Sequence, residues 1–450
     1  MSVRLDRFLC LLGAVLWLLL TLVLTWRWVG FGAAYLERPV LSAGGLAMGF
    51  FLVSRSRGGW LLRTCRTLSV LGLMLGATLV AAELGCRLLK LDFNELLGVR
   101  QRQAAFPIYF QMPRHPSGTV FFTRPPEATW TGQPLTRLLE LNRSTDVDYT
   151  DEVEVTIAYD DQGFRRVPDQ TDWDVVVAGD SFTEAGYLPE EKIFTGQLAA
   201  RSGLRVRNLG ISDTGTFSHA HYLEAYGAAP SARQAVLAFF EGNDLQDNAR
   251  EAEDLRRWQE QGVKPDREIH PEPSLLRTLY HAVRDFSKLR LRPRSFANAD
   301  FTDAQGRQIP LTIADAPPAA AEIPAEQAAA LREGLDQWVA RCQAAHLEPS
   351  LLYLPCKRRV LHGLMTPRGD YPQPEWELGD LPAHLESLCV ERGIKFIDAT
   401  PALRALAERG ILPFNAIFDT HFNEAGHAEV GRLLAQELVP PESGVILARP

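Results

Sequence analysis

Four short stretches carry side chains suited to one kind of chemistry, acyl transfer through a serine hydroxyl. Gly179-Asp180-Ser181 follows the apolar run WDVVVA and precedes Phe182-Thr183-Glu184. A serine there stands on the turn from a buried strand into a helix. Its hydroxyl is exposed, and backbone N–H groups pointing at it can hold an oxyanion. A second loop, Asn208 to Thr216 (NLGISDTGT), is rich in small residues that let backbone approach a ligand. A third, Glu241-Gly242-Asn243-Asp244, ends another apolar run. An asparagine at a strand end can offer its side-chain N–H to developing negative charge. Near the C-terminus, Asp419-Thr420-His421 supplies a base for the serine proton and an acid to orient that base. Each stretch has a plainer reading by itself: turn chemistry for Gly-Asp-Ser and for the small-residue loop, a helix cap for Asn-Asp, a surface histidine. Their order and their places at strand ends carry the signal.

The elements that must position these residues alternate. Apolar runs at 173–178, 204–210, 234–240, 350–355 and 394–399 read as strands. Stretches at 190–201, 217–226, 324–345 and 381–392 have helical character. Near-continuous apolar strands between helices indicate a parallel sheet covered on both faces, an α/β fold with its ligand site at the carboxyl ends of the strands. Ser181, Asn243 and Lys357 all fall at such ends. Lys357, with Arg358 and Arg359, would hold an anionic substrate there; a solvated basic turn is the plainer reading. Residues 245–325, charged and Pro-rich, interrupt the alternation and read as an insertion, a lid or a substrate wall.

With these four stretches in this order, the chain resembles the SGNH/GDSL hydrolase superfamily over roughly residues 173–437. GDSFTEA is similar to its nucleophile block, NLGISDTGT to its glycine block, EGND to its asparagine block and DTHFNEAGH to its Asp/His block. The run DDQGFRR and the segment AELGCRLL resemble membrane-anchored bacterial members. The resemblance implies a flavodoxin-like three-layer α/β/α fold and ester hydrolysis or acyl transfer with no metal or cofactor. By these motifs Ser181 is the nucleophile, the Ser181 N–H and the Asn243 side chain donate to the oxyanion, and His421 is the base. Two departures stand out. Asp213 occupies the place of the glycine block's oxyanion glycine, flanked by Gly210 and Gly215; its N–H would still donate, and Gly210 is a further oxyanion candidate. One residue separates Asp419 from His421 where many members have two, a form that resembles polysaccharide O-acetyl-transfer relatives. His427 is the reserve base.

The rest of the chain sets the surroundings. It has 450 residues and a net charge of −8, which argues against a nucleic-acid partner. The first ninety residues are apolar and carry arginine but almost no acid. Spans are expected at about 8–26, 33–53 and 68–89, since a bilayer core takes about 20 apolar residues of helix. The first reads as a retained anchor, because its apolar run is too long for a cleaved signal peptide. Arg4 and Arg7, and then Arg55, Arg57, Arg63 and Arg66, place the N-terminus and the second loop in the cytoplasm. Trp26, Trp28 and Trp60 sit at span ends. The expected organisation is a membrane anchor over 1–90, a β-rich lead-in over 91–170 and a hydrolase-like domain over 171–440. The anchor lies in the inner (plasma) membrane and the domain on the periplasmic, extracytoplasmic side. Cys342, Cys356 and Cys389 of that domain allow one bridge and one thiol, or three buried thiols. The expected activity is that of a serine esterase on carboxylic esters of a small molecule or glycan, O-acetyl groups included. The alternatives are an O-acyltransferase to a cell-envelope polysaccharide and a silent domain that binds a glycan or partner.

Overall fold

The computed structural model describes residues 3–30, 37–55, 59–93, 120–136, 152–168, 170–264, 273–279, 297–314, 317–368, 378–417 and 420–439. The chain divides into two compact units, Met1–Gly98 with His270–Leu291, and Val99–Ile269 with Arg292–Pro450.

The first unit holds helices α1 (Val3–Gly30), α2 (Glu37–Ser54) and α3 (Trp60–Leu88). All three expected apolar stretches are therefore helical where described. Among the described residues, α3 is the helix long and apolar enough to cross a membrane by length and composition. Its Leu68, Leu71, Met74, Leu75 and Val80 side chains are exposed. The small core of this unit joins Cys10, Leu62 and Cys65. Part of the expected insertion belongs to this unit, where the Leu276 N–H donates to Glu83 Oε2 at 2.9 Å.

The second unit opens with a two-stranded antiparallel sheet, β1 (Thr129–Gly132) and β2 (Val155–Ala158), followed by the main α/β succession. It runs β3 (Val175–Gly179), α4 (Ser181–Glu184), α5 (Phe194–Ser202), β4 (Val206–Gly210), α6 (Thr216–Tyr226), β5 (Gln234–Phe240) and α7 (Asp244–Gln261). After β6 (Ala299–Thr302) and β7 (Gln308–Leu311) come α8 (Ala325–Ala344), β8 (Glu348–Leu354), α9 (Lys357–Val360) and β9 (Met365–Pro367). The described part ends with α10 (Leu381–Arg392), β10 (Lys395–Asp398), α11 (Thr400–Glu408) and α12 (Glu424–Leu438).

Five strands form one parallel sheet in the order β10-β8-β5-β3-β4. Alternate residues of β3 feed two cores, as a sheet covered on both faces requires. Val175 and Val177 pack with Phe194, Leu198 and Leu434, whereas Val176 and Ala178 pack with Phe217, Leu331 and Trp338. The chain leaves β3 for β4 on one side and returns to β5 on the other. The crevice at that reversal, beyond the carboxyl ends of β3 and β5, is where such sheets place ligands.

The insertion expectation changes, and the cysteine alternatives resolve to buried thiols. Residues 245–325 are not one insertion. The first part is α7, which continues directly from β5. β6 pairs with both β7 and β9 in a small antiparallel sheet whose Ala299, Phe301 and Leu311 join the main core. All six cysteines are free thiols. Burial pushes the Cys342 and Cys389 thiols up to about 12.

Candidate active site

Asp180 builds the turn after β3. At the N-cap of α4, its Oδ1 accepts the Phe182 N–H at 2.9 Å, satisfying a helix-end donor that has no intrahelical partner. Ser181 is thereby fixed as the first residue of α4. The turn closes at Ala185, whose φ is +43°. Gly179 is required here, because a Cβ on it would lie 2.2 Å from Thr183 Oγ1.

His421 approaches from the segment before α12. Asn423 caps that helix by accepting the Gly426 N–H at 3.1 Å, and its amide donates to Leu412 O at 2.7 Å and Phe414 O at 3.1 Å. The Asn415 N–H donates to the His421 carbonyl at 3.0 Å. The imidazole packs against the Phe182 ring at 4.7 Å and the Tyr187 ring at 5.5 Å between centroids. Its Nε2 lies 2.6 Å from Ser181 Oγ. An imidazole nitrogen at that distance is placed to take the hydroxyl proton. Asp419 lies outside the described residues.

The Asp180 carboxylate is fully buried, and its Oδ2 stands 3.4 Å from Ser181 Oγ. Burial pushes this carboxyl above its ordinary range. The Phe182 N–H, the charge of His421 and the polar Asn243 side chain counter only part of that. Asn243 is the N-cap residue of α7, and its Nδ2 donates to Asp247 Oδ2 at 2.6 Å.

Asp213 adopts the left-handed conformation, φ +64°, in the place where the motif has glycine. Its carboxylate turns toward α7 and meets a guanidinium: Arg250 Nη1 donates to Asp213 Oδ1 at 2.8 Å. Gly210 has a packing part instead. Its N–H is given to Asn208 Oδ1 at 2.8 Å, and a Cβ on it would lie 2.3 Å from Glu184 N. The glycine thus lets the second loop close onto the nucleophile turn.

Lys357 is placed differently from expectation. It is 3 % exposed, and its Nζ donates to Asn415 O at 2.6 Å and to Ala416 O and Thr312 O at 3.2 Å each. Arg359 pairs with buried Glu241 at 2.8 Å, and Arg358 is buried as well. The basic run is neither a solvated turn nor an anion clamp, because a buried cation collects carbonyl and carboxylate partners. Lys357 pins the segment that leads to His421. His427 is fully buried, with Nε2 2.8 Å from Tyr187 Oη and Nδ1 accepting the Phe194 N–H at 3.3 Å. It holds α12 to the nucleophile side of the sheet.

The sequence reading missed the supports beneath Ser181. Glu184, fully buried, accepts from Arg124 Nε at 2.6 Å, Tyr159 Oη at 2.7 Å and Ser212 N at 2.7 Å. Arg165, from DDQGFRR, donates to the carbonyls of Glu184 and Ala185 at 3.1 Å each and of Leu188 at 2.9 Å. The lead-in thus supplies three side chains to the floor of the site. The one sequence signal was an acidic residue just after the nucleophile in an otherwise apolar and small stretch.

Residues 177–429 match the model of the GDSL-like lipase/acylhydrolase family. Similar solved structures include a G-D-S-L lipolytic-family protein from Desulfitobacterium hafniense, 13% identical, covering 58% of this chain and 98% of that one, TM-score 0.31. A second family member, from Veillonella parvula, is 12% identical over 58% of this chain and 96% of that one, TM-score 0.29. A catalytic mutant of an acetylxylan esterase from Geobacillus stearothermophilus is 14% identical over 62% of this chain and 97% of that one, TM-score 0.30. No curated protein matches the chain. With the matched span covering more than half of its residues, the chain belongs to the GDSL-like lipase/acylhydrolase family, and it is a hydrolase of ester bonds.

Proposed function

We propose that this hydrolase is a membrane-anchored serine esterase in which Ser181 forms and releases an acyl-enzyme. The observation that carries the reading is the 2.6 Å approach of His421 Nε2 to Ser181 Oγ. Ser181 Oγ attacks the ester carbonyl carbon while His421 takes its proton. The negative oxygen of the tetrahedral intermediate is held by Asn243 Nδ2 and by the N–H groups of Ser181 and Asp213. His421 then protonates the departing alcohol. Water attacks the acyl-enzyme with His421 again as base, regenerating Ser181. Asp419, two residues before His421, is the proposed orienting acid, on the motif alone.

The proposed substrate is an O-acylated glycan or small molecule, which the Asp-x-His spacing supports through its likeness to polysaccharide O-acetyl-transfer relatives. Transfer of the acyl group to a second hydroxyl instead of water would use the same residues. The apolar 1–90 region, with α3 and its exposed leucines, supports an integral anchor. The distribution of arginine between the spans supports an inner-membrane protein whose domain over 171–440 faces the periplasm.

The test is labelling of the detergent-solubilised full chain with a fluorophosphonate probe. Wild type is expected to label, and Ser181→Ala and His421→Ala to lose the label. A folded wild-type chain that does not label removes the activated serine and leaves the silent binding domain in its place.

A further inference from the structure

The two donors assigned to the oxyanion from different loops, the Asn243 side chain and the Asp213 N–H, are joined through α7. Asp247 and Arg250 lie one turn apart on that helix. Asp247 Oδ2 accepts the Asn243 Nδ2–H at 2.6 Å, and Asp247 Oδ1 forms an ion pair with Arg250 Nη2 at 2.9 Å. Arg250 then reaches the loop after β4, donating from Nη1 to Asp213 Oδ1 and from Nη2 to Asp213 O, each at 2.8 Å. Neighbouring side chains of α7 brace the same loop. Asn248 Oδ1 accepts the Thr216 N–H at 2.6 Å, and Glu251 Oε2 accepts the Ser218 N–H at 3.1 Å.

We propose that Asp247 and Arg250 are positioning residues that lock Asn243 and Asp213 into one rigid oxyanion-binding frame. The inference rests on the assignment of Asn243 and Asp213 as oxyanion donors. A carboxamide nitrogen carries two N–H bonds in fixed directions in its plane, so anchoring one aims the other. Asp247 holds one N–H of Asn243. Arg250 solves a separate problem. A non-glycine residue resists the left-handed conformation that the loop needs at 213, and its carboxylate would oppose charge developing nearby. The guanidinium grips both the side chain and the carbonyl of Asp213, which fixes its backbone dihedrals and balances its charge. Arg250 does the work that a glycine at 213 would make unnecessary.

The experiment measures kcat and KM of the detergent-solubilised full chain on a small chromogenic acetate ester. Asp247→Ala is expected to lower kcat by about 10- to 30-fold with KM changed less than about 2-fold, and by less than about 2-fold in an Asn243→Ala background. Arg250→Gln is expected to lower kcat by about 5- to 10-fold, and adding Asp213→Gly to restore it to within about 2-fold of wild type. An Asp247→Ala loss that stays at full size in the Asn243→Ala background overturns the proposal, as does an Arg250→Gln loss that Asp213→Gly leaves uncorrected. The underlying assignment fails differently: Asn243→Ala would then keep wild-type kcat. If Asp247→Ala shows no cooperative melting, Arg250→Lys carries the test, since it keeps the charge but removes the two-pronged grip. Its kcat must fall and must recover with Asp213→Gly, and failure of either overturns the proposal.

Discussion

Arg124 Nε stands 2.6 Å from Glu184 Oε1, and neither side chain reaches solvent. The pair lies under the Ser181 turn, where Glu184 also accepts from Tyr159 and from both donors of Ser212. Burial alone would raise this carboxyl. The Arg124 charge and the hydrogen bonds from Arg124, Ser212 and Tyr159 outweigh it, so the group is held below its ordinary range. A depressed carboxyl stabilises the fold above its unfolded pKa and loses that contribution as pH falls through the folded value. Arg124→Met strands the carboxylate and should destabilise by about 3–5 kcal/mol, while Arg124→Met/Glu184→Leu should recover part of the loss. Chemical denaturation of the three chains checks this, and a single mutant no less stable than the double would contradict it.

Asn243→Ala should reduce kcat on a simple acyl ester by about 10²–10³-fold with little change in KM, since in the proposed mechanism its N–H meets charge only as the tetrahedral intermediate forms. Steady-state kinetics on the full chain decides. A rise in KM with kcat intact would make Asn243 a ground-state binding group.

What the sequence disclosed and what it hid follow from locality. The apolar runs at 175–179, 234–240 and 348–354 are strands, because a sheet covered on both faces wants continuous apolar residues. The helix expected at 381–392 has those bounds in the structure. The helix expected from Glu190 begins only at Phe194. Ile193 is extended (φ −81°, ψ 160°) and buried with Ala185 and Tyr187, so tertiary packing overrides the local preference. The charged α7 read as insertion because most of what it fully buries is polar: Asp244, Asp247, Asn248 and Glu251 beside Leu245. The apolar row that packs on the core, Leu245, Ala249, Ala252, Leu255 and Trp258, includes alanine, is only half-buried beyond Leu245 and is diluted by charge. Arg124 and Glu184 are sixty positions apart, and pairing across that distance leaves no local pattern. The end of a strand also does not fix where the next side chain turns, which is why Lys357 read as facing the site.

Asp247 should leave a mark on stability against pH. Burial pushes its carboxyl up to about 7; Arg250 lowers it, and Asp213, Asp180 and Glu251 raise it further. Asp244, on the same helix, lies well above its ordinary range for the same first reason. A raised carboxyl binds more protons folded than unfolded, so stability falls as pH climbs from about 4 to about 7 and is level above that. The Asp247 share is on the order of 4 kcal/mol across the window. Asp247→Asn cannot ionise and should flatten the slope by that share, leaving what Asp244, Glu251 and Asp180 contribute. Melting temperatures of both chains at pH 4.5, 5.5, 6.5 and 7.5 read it out, with parallel curves as the contrary result.

Lys357 supplies the last prediction, and it separates two roles that its position at a strand end would allow. Its ammonium is held by three carbonyls, two of them at Asn415 and Ala416, just ahead of the segment that carries His421. Replacing it with methionine keeps length and apolar stem but leaves those buried acceptors without their donor, which costs about 1–3 kcal/mol. The His421 segment is otherwise tied by Asn415 N–H to His421 O and by the amide of Asn423. It should loosen rather than unfold. The expected kinetic signature of Lys357→Met is therefore a fall in kcat of about 3- to 10-fold, equal for neutral and anionic acyl esters. A substrate clamp would behave otherwise: KM would rise for the anionic ester alone, and stability would hold or increase as a buried charge was removed. Measuring both esters and the melting temperature on one preparation separates the two.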